Sequence, residues 1–417
     1  MNGIILGRKL AVVALLTLVL TGIPMFTSTT QAEENTISGS ADTPFGKHGK
    51  LRLEKADGFG NAPVIVDQTG QPFQLRGVCT HGLQWDCGKT FVNKETFQKL
   101  RDEWGINLVR LACYVTQGGY TQGAKDSMDS LVQNAVSDAT DLGMYVIIDW
   151  HVHEPGDGQV NPNTWKGDAE QFFTKFATQY KDYDNVIFEV CNEPIKTEWY
   201  DGSGNDLYTY CSEMTKVIRD CGSDALVVCG TNTWSQDVDR VSEHRIDDDR
   251  VLYTLHFYAA THYDDVQKKM TDAIEAGTPV FVTEFGICSA SGQAPFDEAN
   301  ADKWIELCDK NNVSFACWSM SNKDEGASYF VPSCSRTSGN WDESDIATTG
   351  KWFRDVCLKH EAEEESRTPA EAEEAPQQEA ELSDADTKEP AVTKAEVKAP
   401  NSFLGRIINW FRNLFGN

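Results

Sequence analysis

Two glutamates that end apolar runs are the first candidates for chemistry in this sequence. Glu193 follows the run in NVIFEVCNEP, and Glu284 lies near the end of PVFVTEF. Two facing carboxylates can cleave a glycosidic bond, because one protonates the leaving oxygen while the other, ionised, attacks the anomeric carbon. Different surroundings would have to separate their pKa values. Each glutamate also has a simpler explanation: Asn192 and Pro194 could start a helix, and Glu284 could serve a salt bridge.

The elements that would position these carboxylates are eight strand-like runs separated by helical patterns. The runs span 74–80, 107–113, 145–150, 186–191, 225–230, 251–257, 279–285 and 314–320. Amphipathic patterns lie between them, as at 127–142, 168–181, 206–220, 264–276 and 297–311. Apolar strands that alternate with helices are typical of a parallel sheet covered on both faces.

Eight such units in about 300 residues predict an α/β fold, the closed (β/α)8 TIM barrel. The segments GKLRLEK and APVIVDQTGQPFQL predict a short β-hairpin before the barrel, at its N-terminal end. A doubly wound open sheet is the alternative, but no glycine-rich nucleotide turn follows the first strand.

In a barrel, functional groups come from the carboxyl ends of the strands, and all eight predicted strand ends carry polar or aromatic side chains. In chain order these are His81 with Trp85, Arg110 with Tyr114, Trp150 with His151, Asn192 with Glu193, Trp234, His256 with Tyr258, Glu284, and Trp318. A single Trp or His is commonly packing, yet packing alone does not explain eight such ends. We expect the rings to stack on sugar faces. Glu189 should lie deeper in the barrel, with a structural partner.

Two other interpretations of these residues stay open. The motif DWHVHEP places His151 and His153 two residues apart at a strand end, which would suit one metal ion in a barrel hydrolase. That site needs more ligands and leaves the glutamate pair without a role. A non-catalytic carbohydrate-binding barrel is the second alternative, and it gives no reason for two rim carboxylates. We predict neither a cofactor nor a metal.

Longer motifs spread over residues 46–360 are more specific than the single residues. They are LRGVCTHGLQW, VRLACYVTQGGY, YVIIDWHVHEPGD, VIFEVCNEP, NTWSQDVD, YTLHFYAATH, VFVTEFG and CWSMSNKDEGAS. Together they resemble glycoside hydrolase family five, most closely its bacterial endo-β-1,4-glucanase (cellulase) subgroup. The resemblance implies retaining hydrolysis of a β-glucan polysaccharide on a (β/α)8 barrel. Mannan, xyloglucan and mixed-linkage glucan stay open as substrates, because members of the family differ at few binding residues.

The resemblance also implies residue roles. Glu193 matches the general acid/base and Glu284 the nucleophile. Arg110 matches the arginine that keeps the nucleophile ionised by lowering its pKa, and Asn192 matches the amide that binds the substrate 2-hydroxyl. The remaining matches are active-site support from His151, His256 and Tyr258, a sugar platform in Trp318, and binding of neighbouring sugars by His81, Trp85, Tyr114, Trp234, Lys323 and Glu325. His153 has no such match.

The net charge and the N-terminus restrict the partners and the location. A net charge of −27 disfavours nucleic acid, since phosphate binding needs clustered Lys and Arg. Arg8 and Lys9 precede a short apolar run, and TQA at 30–32 offers small residues for cleavage. This pattern predicts a signal peptide over 1–32, a linker over 33–45 and a secreted protein. An uncleaved anchor helix is the alternative.

The C-terminal segments differ from the barrel in composition. Residues 361–400 hold 13 acidic against 4 basic residues and almost no large apolar side chain, which predicts a disordered linker. Residues 401–417 place their apolar side chains on one helical face, which predicts an amphipathic helix lying on a membrane or envelope surface. Docking on the protein itself or on a partner is the alternative. Of the twelve cysteines, we expect most to be free, with one or two surface disulfides allowed, and we expect a monomer.

Overall fold

The structure is a computed structural model that describes residues 40–153 and 161–367. The predicted signal peptide, the first part of the 33–45 linker, residues 368–400 and the predicted helix 401–417 lie outside the described residues. The strands are β1 (Arg52–Glu54), β2 (Val64–Val66), β3 (Arg76–Thr80), β4 (Leu108–Tyr114), β5 (Tyr145–His151), β6 (Val186–Glu189), β7 (Val227–Cys229), β8 (Val251–Tyr258), β9 (Val280–Gly286) and β10 (Phe315–Met320).

The helices lie mainly between these strands. They are α1 (Pro44–His48), α2 (Asp86–Lys89), α3 (Lys94–Trp104), α4 (Lys125–Asp141), α5 (Lys166–Tyr180), α6 (Leu207–Asp220), α7 (Asn232–Ser235), α8 (Asp264–Glu275), α9 (Glu298–Lys310) and α10 (Thr348–Arg367). Short 3-10 turns cover Tyr120–Gln122, Pro162–Trp165 and Val238–Glu243. Although α7 is one helical turn long, Thr233 and Trp234 within it have left-handed backbone angles.

Strands β3 to β10 form a closed barrel in which every neighbouring pair is parallel. The barrel closes where β10 pairs with β3, with Phe315 opposite Arg76. Except at the last residue of β8, the barrel strands are buried along their whole length, since helices cover the outside and side chains fill the inside. The predicted (β/α)8 fold is therefore confirmed.

Sequence signals explain where several outer helices begin and end. The Asn93 side chain accepts a hydrogen bond from the Thr96 N–H at the start of α3, and Gly105 ends that helix in a left-handed conformation with φ of 68°. Asp206 and Asp297 cap α6 and α9 in the same way as Asn93 caps α3. These caps satisfy backbone N–H groups at the helix starts and so define where the helices begin.

The predicted hairpin is also confirmed and closes one end of the barrel. Strands β1 and β2 pair antiparallel, with Arg52 opposite Val66. Leu51, Ile65 and Phe73 belong to the same buried cluster as the barrel-interior residue Tyr145. Because this cluster fills the N-terminal mouth, the accessible mouth is the one at the carboxyl ends of the strands.

The predicted end of the barrel domain at residue 360 is too early. Helix α10 runs on to Arg367, so the first seven residues of the predicted disordered linker are helical. The physical reason is a specific ion-pair cluster. Glu364 accepts hydrogen bonds from Arg76 Nη2 at 2.9 Å and from His48 Nε2 at 2.8 Å. Composition alone shows that the segment is acidic, but it does not show which acid meets a basic partner.

Two further expectations concern the described chain. Each of the twelve cysteines is free, and ten are buried, with Cys87 and Cys221 partly exposed. The surface disulfides that the sequence allowed are therefore not formed. Within 40–153 and 161–367, the helices lack the combination of length and apolar character that crossing a bilayer requires.

Candidate active site

A cavity of about 560 Å³ opens at the carboxyl ends of the barrel strands. The structure brings eleven of the fourteen predicted site residues to its wall. These are His81, Tyr114, His151, Glu193, Trp234, His256, Tyr258, Glu284, Trp318, Lys323 and Glu325. Arg110 and Asn192 lie directly beneath the wall, fully buried, and hydrogen bond to residues that form it.

Arg110 is the centre of the charge network under the cavity. Its guanidinium donates to Glu284 Oε2 at 3.1 Å through Nη1, and to Asn192 Oδ1 at 2.7 Å through Nη2. It also donates to both oxygens of Glu189, at 2.6 and 3.1 Å, and lies 3.0 Å from Asp149 Oδ2. A planar guanidinium with five donors suits such a cluster, because one cation can hold several carboxylates in fixed directions.

Glu189 lies below the cavity, as its position earlier on the strand predicted. It is fully buried and pairs with Arg110, and it also accepts a hydrogen bond from Thr283 Oγ1 at 2.8 Å. Glu189 is therefore part of the floor that fixes Arg110 and is not in the cavity wall.

The second fixed chain on the floor runs from Asp149 to Asn192. His151 Nδ1 lies 2.6 Å from Asp149 Oδ2, and His151 Nε2 lies 3.2 Å from Asn192 Nδ2. An N–H at Nδ1 donates to the carboxylate, so Nε2 carries the lone pair that accepts from the amide. Asn192 accepts from Arg110 at its oxygen, and among residues 40–153 and 161–367 this combination leaves one amide N–H of Asn192 free to donate.

The two cavity glutamates have opposite hydrogen-bond surroundings. Glu284 receives two donors, Tyr258 OH at 2.8 Å on Oε1 and Arg110 on Oε2. Both favour its ionised form. The side-chain partner of the Glu193 carboxyl is His256, whose Nδ1 lies 3.0 Å from Oε1.

The orientation of His256 follows from Thr283. The Thr283 hydroxyl donates to Glu189 at 2.8 Å and also lies 2.6 Å from Thr254 Oγ1, so toward His256 Nε2, 3.0 Å away, it acts as an acceptor. Nε2 therefore carries the hydrogen, and Nδ1 presents a lone pair to Glu193. Burial lowers the pKa of His256 to about 4, which keeps the ring neutral at pH 7. A neutral acceptor facing Glu193 favours the protonated carboxyl.

The pKa directions agree with this asymmetry. Burial raises the pKa of Glu193 to about 6, against opposing effects of His153 and Arg110. Burial and the neighbouring Glu193 charge raise the pKa of Glu284, whereas Arg110 and the Tyr258 hydrogen bond oppose that rise. Once Glu193 holds a proton, its charge no longer acts on Glu284. The first proton therefore belongs on Glu193.

The separation of the two carboxyls is short. One oxygen of Glu193, one of Glu284 and a ring nitrogen of His256 all lie within 4.8 Å of one another. A water molecule that attacks from the opposite side needs a wider gap, whereas direct attack by one carboxylate suits a gap of about 5 Å. The spacing thus fits a double displacement.

Aromatic rings form much of the remaining wall. Trp318 stacks on His151 at 5.4 Å between ring centres, and Tyr114 stacks on the same histidine at 4.1 Å. Trp234 is 49% exposed at the rim. Trp85 is the predicted site residue that the structure places behind the wall, where it packs against His81 and Tyr114.

Lys323 and Glu325 form a charged pair at the rim. Lys323 Nζ lies 2.6 Å from Glu325 Oε2, and His81 Nε2 lies 3.6 Å from Oε1. Although burial opposes it, the neighbouring His81 and the hydrogen bond and charge of Lys323 lower the pKa of Glu325. Glu325 is therefore an ionised residue that lines the cavity.

The salt bridge expected for Glu284 is formed, with Arg110, although Glu284 also lines the cavity. The helix start at Glu193 and the metal site at the two histidines do not fit this geometry. Residues 192–194 do not begin a helix, and the next helix, α6, starts at Leu207. Both ring nitrogens of His151 already have partners, and its ring centre is 6.1 Å from that of His153. The two histidines therefore share no vacant ligand position for a metal.

The sequence did not identify every residue of the wall. His153, Gln236, His262 and residues 290–292 also line the cavity. His262 follows the predicted site residue Tyr258 by four positions, and this spacing was the signal available in the sequence. In the structure, His262 Nδ1 accepts a hydrogen bond from the Tyr258 backbone N–H at 2.9 Å. Residues 290–292 are small, and no side-chain chemistry marks them in the sequence.

Comparison with families of known proteins gives one match. The model described as Cellulase (glycosyl hydrolase family 5) matches residues 66–324. An endoglucanase of Clostridium saccharobutylicum is 38% identical over 291 residues, which cover 70% of this chain and 62% of that protein. Endoglucanase A of Butyrivibrio fibrisolvens is 39% identical over 321 residues, which cover 75% of this chain and 70% of that protein.

Solved structures give the same result. A structure from Cytophaga hutchinsonii superposes with a TM-score of 0.70 at 34% identity and covers 78% of this chain and 99% of its own. The catalytic domain of Thermobifida fusca endoglucanase Cel5A, in complex with cellotetraose, superposes with a TM-score of 0.68 at 28% identity, covering 76% and 99% of the two chains.

Proposed function

The chain belongs to glycosyl hydrolase family 5, and from this premise we propose that it is a retaining endo-β-1,4-glucanase. Its substrate would be a β-glucan whose internal bonds are hydrolysed in two displacements. The observation that carries the proposal is the opposite bonding of the two carboxyls. Glu284 is held by two donors, and Glu193 faces the lone pair of a neutral His256.

In the first displacement Glu284 attacks the anomeric carbon and Glu193 protonates the leaving oxygen. The bond between the sugar carbon and that oxygen breaks, and a glycosyl ester forms on Glu284. Arg110 and Tyr258 stabilise the Glu284 charge before attack. The free amide N–H of Asn192 is placed to bind a sugar hydroxyl next to the reacting carbon.

In the second displacement Glu193 acts as the base. It takes a proton from a water molecule, which attacks the anomeric carbon and releases Glu284. The cycle returns the proton to Glu193. The anomeric configuration is retained because inversion occurs twice.

The nature of the substrate rests on the relatives and on the wall. Two relatives are named endoglucanases, and the Thermobifida fusca structure holds cellotetraose. The cavity offers uncharged rings for stacking and an ionised Glu325 for hydroxyls, which fits a neutral sugar polymer. The alternative substrates are mannan, xyloglucan and mixed-linkage glucan. Hydrolysis rates measured on carboxymethylcellulose, mixed-linkage glucan, xylan and mannan identify the preferred polymer.

The roles of the two glutamates are tested by substitution. Glu193→Gln and Glu284→Gln should each lower kcat by at least about 1000-fold, because each removes a group that reacts in the transition state. Glu298→Gln, which changes an exposed acid on α9, is the matched control. Near-normal hydrolysis by either site variant, with an intact fold by circular dichroism, would contradict the assignment.

An azide experiment separates the two roles. Glu284→Gly supplied with azide should give an α-glycosyl azide, since azide takes the place of the missing nucleophile. The Glu193 variant, with an activated substrate, should give the β product. The reverse pattern of products would exchange the two assignments.

We also propose that the protein is secreted and that residues 401–417 attach it to a membrane or envelope surface. The support is the sequence pattern of 1–32 and of the C-terminal segment. Deletion of 401–417 should lower the fraction of protein that sediments with membranes. An unchanged fraction would remove the attachment proposal and leave the enzymatic one untouched.

A further inference from the structure

The loop that carries Glu193 packs against residues 230–235 at three successive points. A side chain at Gly230 would overlap the Cys191 carbonyl oxygen and come within 3.1 Å of Pro194 Cδ, so the close approach needs glycine. Ser235 Oγ donates to the Asn192 carbonyl oxygen at 2.6 Å. The backbone carbonyls flanking Glu193 are thus held by a single segment, since the N–H of residue 234 donates to Pro194 O at 3.2 Å.

That segment is kept in an unusual conformation. Residues 233, 234 and 235 have φ values of 58°, 53° and 55°, and none of them is glycine. A non-glycine residue in this region typically costs about 1 kcal/mol or more, and it persists only where neighbouring contacts fix it. Asp237 supplies such contacts, because its Oδ2 accepts from Asn232 Nδ2 at 3.0 Å and from Thr233 Oγ1 at 2.6 Å.

Glu193 depends on its backbone more than its neighbour does. The Asn192 side chain is fixed independently by Arg110 and His151. Within the described chain, the Glu193 carboxyl has one side-chain hydrogen-bond partner, His256. A shift of the loop would therefore move the Glu193 carboxyl first.

We infer that Ser235 is a positioning residue for Glu193, acting through the Asn192 carbonyl and the strained turn at 233–235. The inference rests on the proposed function, in which Glu193 is the general acid. Ser235 is fully buried, and its hydroxyl contacts backbone oxygens, so it does not touch the substrate. Its effect must appear as a loss of proton donation and not as a loss of binding.

The test uses two substrates that differ in their need for an acid. Phenyl β-cellobioside needs protonation of its leaving oxygen, whereas 2,4-dinitrophenyl β-cellobioside does not. Ser235→Ala should lower kcat for the phenyl substrate about tenfold with little change in KM, because a small misplacement of a catalytic group is costly. With the dinitrophenyl substrate, kcat/KM, which reports the first displacement alone, should stay within about twofold of the unaltered protein.

Two further variants guard the interpretation. Ser235→Gly removes the same hydroxyl but relieves the left-handed strain, so it should show the same kinetic loss with a higher melting temperature than Ser235→Ala. It carries the test if Ser235→Ala does not fold. Ser242→Ala removes a hydroxyl that donates to the Asp239 carbonyl, outside the site. This control should leave the kinetic constants for both substrates unchanged.

The outcomes separate the inference from the proposed function. Equal losses of kcat/KM on both substrates, or no loss on either, would overturn the positioning role of Ser235. Glu193→Ala is measured in parallel and should lose kcat/KM selectively on the phenyl substrate. If Glu193→Ala shows no such selectivity, the proposed function fails. If it does and Ser235→Ala does not, only the inference about Ser235 fails.

Discussion

At the scale of single residues, one hydroxyl proton decides how the two carboxyls differ. Because Thr283 gives its proton to Glu189, His256 must turn its lone pair toward Glu193. The acid and the nucleophile are thus distinguished by a neighbour that touches neither glutamate of the cavity. The sequence predicted both glutamates from their places at strand ends. It did not indicate Thr283, because a threonine inside a strand is ordinary.

The proton on Glu193 predicts a pH dependence. The value of kcat/KM should fall as pH rises through about 6, because Glu193 then loses the proton that it must donate. The measurement is a pH profile with a substrate whose leaving group needs protonation. A Glu193→Ala variant assayed with dinitrophenyl β-cellobioside should lack this alkaline limb. An alkaline limb that persists in the variant would assign the ionisation to another group.

At the scale of elements, the sequence predicted helices and strands to within a few residues. The pattern at 251–257 corresponds to β8 at Val251–Tyr258, and the pattern at 127–142 corresponds to α4 at Lys125–Asp141. Hydrophobic periodicity predicts these elements correctly because each of them keeps the same surroundings along its whole length. It fails for the turn at 233–235, whose left-handed angles are fixed by side-chain hydrogen bonds to Asp237 that leave no periodic pattern, and for the end of α10.

The ion-pair cluster of α10 predicts a change in stability. Although burial opposes it, the hydrogen bond from His48 and the charge of Arg76 lower the pKa of Glu364 to about 2. The stabilisation is therefore complete above the ordinary glutamate pKa and is lost as pH falls toward 2. Glu364→Gln should lower the free energy of unfolding by about 1 kcal/mol at pH 7, since the pair is partly exposed and screened.

Urea unfolding at pH 7 and at low pH measures this effect. Glu103→Gln, which breaks an exposed pair with Lys99 on α3, is the control and should change stability by about 0.5 kcal/mol or less. The difference between Glu364→Gln and the unaltered protein should shrink as pH falls. A difference that is constant with pH would mean that the Glu364 charge is not its source.

The same cluster predicts where the folded unit ends. A chain that stops at residue 367 keeps Glu364, whereas a chain that stops at 360 loses it. The shorter chain should melt several degrees lower, because its last helix loses contacts to both His48 and Arg76. Equal melting temperatures by calorimetry would restore the boundary that composition suggested.

At the scale of the whole molecule, the hairpin closes one mouth of the barrel and leaves the other for a polymer. The wall of that open mouth includes the half-exposed Trp234 and the rim pair of Lys323 and Glu325. A glucan chain would lie across this face and be cleaved at internal bonds. The location of this face followed from the sequence, since strands of a parallel barrel present their carboxyl ends together.

Cleavage of internal bonds at an open face predicts how the viscosity of a polymer solution changes relative to the number of reducing ends. The viscosity of carboxymethylcellulose should fall early, before many reducing ends appear, because one internal cut shortens a long chain greatly but creates only one reducing end. Viscometry beside a reducing-sugar assay measures both. Viscosity that falls only in proportion to the reducing ends would indicate cutting from chain ends instead.

The distribution of cysteines has a practical consequence. Ten buried thiols are shielded from reagents in solution, whereas Cys87 and Cys221 are partly exposed. Cys87 lies beside the open mouth, where its carbonyl accepts the Asn322 N–H. With Cys221 replaced by serine, a fluorescent maleimide would label Cys87 alone in the folded protein. Cys87 thus offers a natural attachment point for a spectroscopic probe near the open mouth, without a cysteine being introduced.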